Sequence, residues 1–178
     1  MDAERHAVTT PSAWVQRWCG RVPKGGRVLD VACGQGRHTR LFAQLGHPVE
    51  AVDRDPALLA GLTGIPGVST RCADLEAGPW PYGASSFAGI VVVNYLHRPL
   101  FPLLLAALAP EAALIYETFA LGNERYGRPS NPDFLLKPGE LLEVVRGTLH
   151  VVAYEDLFVA EPRPALVQRI CAIKPGRD

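Results

Sequence analysis

The residues best suited to chemistry stand in one short stretch, residues 28 to 36, Val-Leu-Asp-Val-Ala-Cys-Gly-Gln-Gly. An acidic residue at the tip of an apolar run precedes two glycines and a helical pattern. Val28, Leu29 and Val31 have the make-up of a short strand buried in a parallel sheet. Gly34 and Gly36 lack a Cβ, so the chain can turn sharply there and bring main-chain N–H groups close to a ligand. About Arg37 to Leu45 follows a helix that packs Leu41, Phe42 and Leu45 on the sheet and stops at Gly46. A second strand over Val49 to Val52 finishes at Asp53, 19 residues after Gly34. An acidic residue about 20 positions beyond a glycine turn is placed to bind ribose hydroxyls.

Three ligands could use such a unit, and the residues separate them. A phosphate-cradling loop would end in Gly-Lys-Ser or Gly-Lys-Thr, whereas Arg37-His38-Thr39 follows Gly36 here. A dinucleotide fingerprint wants a third small residue where Thr39 stands. Asp30 is the sharper objection, because a carboxylate aimed into the turn repels a pyrophosphate and suits the ammonium and sulfonium charges of S-adenosylmethionine. A Rossmann-like domain with a coincidental glycine pair is the bland alternative.

With these residues the sequence resembles the class I S-adenosylmethionine-dependent methyltransferases, whose first motif is an acidic residue followed by Gly-x-Gly. The resemblance implies a role for several positions just past the strands. Asp53 should hold the ribose hydroxyls, and Asp74 should accept from the adenine amino group with Ala73 and Leu75 lining the ring. Asn94 should lie near the methyl donor and acceptor. Asp30, Ala32, Gly34, Gly36 and Arg54 complete the expected cofactor set. From Asn94 to Leu142 the wording Asn-Tyr-Leu-His-Arg-Pro-Leu, Glu-Thr-Phe and Asn-Pro-Asp-Phe-Leu-Leu-Lys-Pro-Gly-Glu-Leu is also similar to small bacterial methyltransferases labelled tellurite-resistance-like. That label says little about the acceptor. The Pro-Pro-aromatic continuation found after this Asn in methyltransferases of base amines and protein glutamine is missing.

The elements that must carry these residues alternate, as in a doubly wound, Rossmann-like α/β sheet with helices on both faces. Thr10-Pro11 signals a helix through Trp18, and Asp55-Pro56 another to about Leu62. Strands are expected at Val68 to Cys72, Phe87 to Val93 and Ala112 to Thr118, with helices over Pro99 to Leu108 and Pro138 to Val145. Leu149 to Phe158 and Leu166 to Ile173 should close the sheet as an antiparallel pair. Ligands of such sheets bind outside the carboxyl ends of the strands.

Transfer from a sulfonium is an in-line displacement, so alignment and exclusion of water are the main demands. If the acceptor carries a proton, His97 is the candidate base. Tyr95, Tyr116, Glu117 and Tyr126 could orient an acceptor, with Tyr126 the one grouped with His97 as catalytic. His38 and His47 are expected at the surface. The aperiodic stretch from Phe119 to Leu136 is long enough to fold over the donor site or, with equal weight, to cover the sheet edge.

Composition bounds the rest. The chain of 178 residues is expected to form one domain with residues 1–10 mobile. Lys plus Arg and Asp plus Glu each number 18, so no net field favours nucleic acid or an anionic membrane, and a small-molecule acceptor is expected. Cys19, Cys33, Cys72 and Cys171 form no Cys-x-x-Cys pair, which argues against a metal site or disulfides and for a cytoplasmic protein; a monomer or homodimer is expected. The sequence has neither a signal-peptide pattern nor a membrane-length apolar run. A noncatalytic S-adenosylmethionine-binding subunit or sensor is the alternative function, and a nicotinamide-dependent oxidoreductase a weaker one.

Overall fold

The computed structural model describes residues 9–176, so the mobility expected of the first ten residues falls almost wholly outside the described part. Seven strands form one sheet in the order β3-β2-β1-β4-β5-β7-β6. They are β1 (Val28–Val31), β2 (Val49–Asp53), β3 (Val68–Cys72), β4 (Phe87–Val93), β5 (Leu108–Phe119), β6 (His150–Val159) and β7 (Ala165–Ile173). Strands β1 to β5 are mutually parallel, and β7 inserts antiparallel between β5 and β6. The helices are α1 (Ala13–Trp18), α2 (Arg37–Gln44), α3 (Pro56–Ala60), α4 (Phe101–Ala107) and α5 (Glu140–Val145). The expected doubly wound sheet with its closing antiparallel pair is the observed one.

Strand alternation divides the core between the two faces. Leu29, Val31, Ile90, Val92, Leu114 and Tyr116 pack with Leu104 of α4 and Leu141 and Val145 of α5. Val28, Val91, Ala113 and Ile115 pack on the opposite face with Trp14 and Val15 of α1 and Phe42 of α2. Asp30 belongs to this second face by parity, and therefore points toward α2.

Several local expectations are corrected. Ser12, not Thr10, caps α1, its Oγ accepting from the amides of Trp14 and Val15. Leu45 lies beyond the last residue of α2 and is 51% exposed, while His38 and Thr39 take inward positions. His38 and His47 are buried rather than superficial. Both find partners that make burial tolerable: His38 Nε2 accepts from the Ser12 amide at 3.1 Å, and His47 Nδ1 pairs with the Gly26 carbonyl at 2.9 Å. Periodicity counts apolar residues, so it misses polar side chains that are satisfied inside. Strand β5 starts earlier than expected because its pairing with β4 shifts register after Leu108, with Glu111 at φ +64°.

Candidate functional site

The carboxyl end of β1 runs into a turn that its neighbour β2 holds. The Cys33 amide donates to the Val52 carbonyl at 3.0 Å, and the Gly34 amide donates to Asp53 Oδ2 at 2.8 Å. Ala32, Gly34 and Gly36 all have positive φ, of 51°, 57° and 75°. The two glycines serve different needs. A Cβ on Gly34 would meet nothing within 4 Å, so its backbone faces open space, whereas one on Gly36 would collide with the buried Leu62 side chain. Gly34 keeps the backbone approachable, and Gly36 lets the turn close on α3 and its following loop.

Asp30 lies beneath this turn. It is 2% exposed and its Oδ2 accepts from Thr39 Oγ1 at 2.6 Å. The two departures from a dinucleotide fingerprint are thus partners: the position that a dinucleotide site keeps small supplies the hydroxyl that satisfies the buried carboxylate. Burial pushes the Asp30 carboxyl up to about 6, with the Thr39 hydroxyl and amide bonds pulling the other way. On the same helix, burial pulls His38 down to about 3, with the Arg37 charge acting in the same direction.

At the end of β2, Asp53 Oδ1 accepts from the Asp55 amide at 3.0 Å, so each carboxylate oxygen holds one main-chain donor and retains capacity for another. At the end of β3, Asp74 Oδ1 accepts from the amides of Glu76 and Ala77 at 2.9 and 3.1 Å. These bonds hold its carboxyl below the usual range. Beyond β4, Asn94 has φ +57° and donates its amide to the Glu117 carbonyl at 2.9 Å. Tyr116 Oη donates to the Tyr95 carbonyl at 2.8 Å and pins this segment from the core.

These ends surround a cavity of about 220 Å³ lined by Ala32, Val52, Asp53, Arg54, Ala73, Asp74, Leu75, Glu76 and Tyr95. Six residues expected from the sequence therefore meet in one place. Asp30, Gly34, Gly36 and Asn94 are not in its lining. Val52 and Glu76 join it from outside the expected residues, and Tyr95, expected to orient an acceptor, from outside the cofactor set. Glu76 stands one residue past the expected pair Asp74 and Leu75. Burial and the Glu76 carboxylate beside it raise the Tyr95 hydroxyl.

His97 lies close enough to Asp74 for its charge to lower that carboxyl, and it occupies the cap position of a one-turn 3-10 helix, Arg98–Leu100, without a side-chain capping bond. Arg98 beside it donates to both Glu140 oxygens at 2.6 and 2.9 Å and to the carbonyls of Asp133 and Leu135 at 2.7 and 2.9 Å. Tyr126 stands apart. Its ring packs on Phe158 of the edge strand β6 with centroids 5.1 Å apart. The stretch from Phe119 to Leu136 is anchored on the β5–β7 side, where Asn123 Oδ1 accepts from the Leu166 amide at 3.2 Å and Leu136 bridges to Ala120. None of its residues lines the cavity. Among the described residues no group of three or more His, Cys, Asp or Glu could hold a metal ion, and no helix is long and apolar enough to cross a membrane.

Residues 28–111 match the family described as a methyltransferase domain. No curated protein matches the chain. Among solved structures, TehB from Haemophilus influenzae is similar with a TM-score of 0.73 at 18% identity, over 90% of this chain and 61% of that one. The chain thus spans about three fifths of TehB. A TehB-like S-adenosylmethionine-dependent methyltransferase from Corynebacterium glutamicum is similar with a TM-score of 0.65 at 21% identity, over 90% and 86% of the two chains. The 1,6-didemethyltoxoflavin-N1-methyltransferase of Burkholderia thailandensis, with bound 1,6-didemethyltoxoflavin and S-adenosylhomocysteine, is similar with a TM-score of 0.66 at 21% identity, over 91% and 76%. At these identities the likeness to the solved structures is one of fold.

Proposed function

We propose that the chain is a class I S-adenosylmethionine-dependent methyltransferase, which transfers a methyl group to a small-molecule acceptor and releases S-adenosylhomocysteine. The observation that carries this reading is the convergence of Ala32, Asp53 and Asp74 around one cavity at the carboxyl ends of β1 to β4, with Asp53 tied to the amide of the neighbouring glycine turn at Gly34. The cavity suits the donor. Asp53 has acceptor capacity left for a ribose diol, Asp74 Oδ2 is available to an adenine amino group, and Ala73 and Leu75 supply apolar wall. Three carboxylates against one guanidinium, Arg54, favour a cationic ligand over a phosphate-bearing one.

S-adenosylmethionine supplies a methyl group on a cationic sulfur, which the acceptor's lone pair displaces in line. The chain's own part is to hold and align. Ala32, Gly34 and Gly36 present the turn, and Asn94 shapes the chain at the end of β4. Asp30 acts from beneath through its charge rather than by contact. Tyr95 and Glu76 close the cavity on the β3–β4 side. His97 is assigned as the base for an acceptor that carries a proton, supported by its nearness to Asp74. Tyr126 packs on Phe158 at the β6 edge, apart from the cavity, and takes no assigned part in this reading. A small-molecule acceptor is supported by the neighbour that binds one and by the balanced charge of the chain.

Calorimetric titration with S-adenosylmethionine, S-adenosylhomocysteine, NAD and ATP tests the donor assignment, with Asp53→Ala as the control that should abolish binding. Binding of ATP or NAD in preference to both sulfur ligands would overturn it. Release of S-adenosylhomocysteine across a metabolite panel then tests turnover, and saturable donor binding with no turnover on any acceptor would favour a noncatalytic sensor.

A further inference from the structure

A second and larger cavity, of about 380 Å³, opens on the α2–α3 side of the glycine turn. It is lined by Thr9 and Gln35, by Arg37 and Arg40 from α2, and by Ala57 and Leu58 from α3. Its charge is opposite to that of the cavity across the turn. Two guanidinium groups line it, and no acidic residue does among the described residues.

Both arginines are held in place while keeping donors to spare. Arg37 Nη1 donates to the Thr10 carbonyl at 3.0 Å, and Arg40 Nη2 donates to the Gly61 carbonyl at 2.6 Å. A guanidinium carries five N–H donors, so most of each fork remains for a ligand. On its inward side Arg37 faces the carboxylates of Asp30 and Glu117. Glu117 is already engaged by Ser12 Oγ at 2.7 Å and by Arg169 at 3.2 Å, and Asp30 by Thr39. The cap of α2 is Gly36, which has no side chain to neutralise the positive end of that helix.

We propose that this cavity is an anion subsite, in which Arg37 and Arg40 grip a carboxylate or phosphate group and Ala57 and Leu58 receive the apolar body attached to it. The group belongs to a small acid separate from the methyl donor, because the cavity lies across the glycine turn from the donor cavity and offers no acidic partner, among the described residues, to the donor's ammonium group.

Arg37→Gln, Arg40→Gln and the double variant are compared with wild type by calorimetry against S-adenosylhomocysteine and 5′-methylthioadenosine, which lacks the amino-acid carboxylate. Thermal stabilisation by inorganic phosphate and by citrate is read in parallel. A loss of about tenfold or more in S-adenosylhomocysteine affinity per arginine, with 5′-methylthioadenosine unchanged, assigns the arginines to the donor and overturns the separate subsite. Unchanged S-adenosylhomocysteine binding with lost stabilisation by phosphate or citrate supports it. Variants that match wild type for all four probes overturn it. Arg40 is exposed, so Arg40→Gln alone keeps the test readable if substitution of Arg37 impairs folding. Wild type that fails to bind either nucleoside defeats the proposed function, while the phosphate and citrate arm still decides the subsite.

Discussion

Replacing Asp30 by Asn should change the pH dependence of stability by an amount that the structure sets. The Asp30 carboxyl is fully buried and raised from 3.8 to about 6, first by burial and against the pull of Thr39. Between those values the folded protein keeps a proton that the unfolded chain has released, so the Asp30 contribution to stability falls as pH rises through the window. The contribution is fully present below the unfolded value and lost above the folded one. That rise corresponds to about 3 kcal/mol. Asn has no proton to lose at this position, so the stability of Asp30→Asn relative to wild type should increase by about 3 kcal/mol between acid and neutral pH. For a chain of this length that is about 6–12 °C in relative melting temperature. The double difference cancels the packing cost of the new amide and every other group the two proteins share. Thermal or urea unfolding of both proteins at pH values spanning about 3.5 to 7.5 measures it. Parallel curves would refute the account of Asp30 as a desolvated carboxylate. If its charge serves the donor from beneath the turn, the same variant should weaken S-adenosylmethionine more than uncharged-sulfur S-adenosylhomocysteine.

His38 should oppose this trend. Its pKa is depressed to about 3, so it contributes stability that is present above about 6.5 and lost as pH falls toward 3, and His38→Gln should flatten the acid limb of the unfolding profile. The two turn glycines should separate in their effects. Gly36→Ala should lower stability by about 2 kcal/mol or more, since both its φ and the Leu62 contact resist a Cβ, while Gly34→Ala should fold with a loss of about 1–2 kcal/mol yet bind the donor poorly. Calorimetry and melting curves on the pair check this, and equal effects would contradict it. Arg98→Ala removes two bonds to Glu140 and two to backbone carbonyls and should speed amide exchange over residues 132–140, read by hydrogen-exchange mass spectrometry. His97→Ala should lower turnover while leaving donor affinity near wild type, and full activity would remove His97 from the chemistry.

Much of the site is legible in the chain because its logic is local. Asp53 follows Gly34 at a spacing that one strand–helix–strand unit imposes, and the acidic residues at the ends of β2 and β3 fall at strand tips that apolar runs mark. Satisfied polar burial is what sequence patterns miss. His38 and His47 look superficial because their partners, the Ser12 amide and the Gly26 carbonyl, are distant in sequence. The position of Tyr126 is likewise decided by the pairing of β6 with β7, which brings Phe158 beneath its ring.

Backbone chemistry and hydrophobic period were enough to specify a parallel sheet, a glycine turn and acidic strand ends, because each depends on residues close along the chain. Only the folded structure decided that Asp30 lies under the turn with Thr39 rather than at the cavity wall, that Glu76 and Tyr95 complete that wall, and that Arg37 and Arg40 line a second cavity. Those facts depend on which elements pack together, and burial of a charge acquires its energetic meaning only when its neighbours are in place.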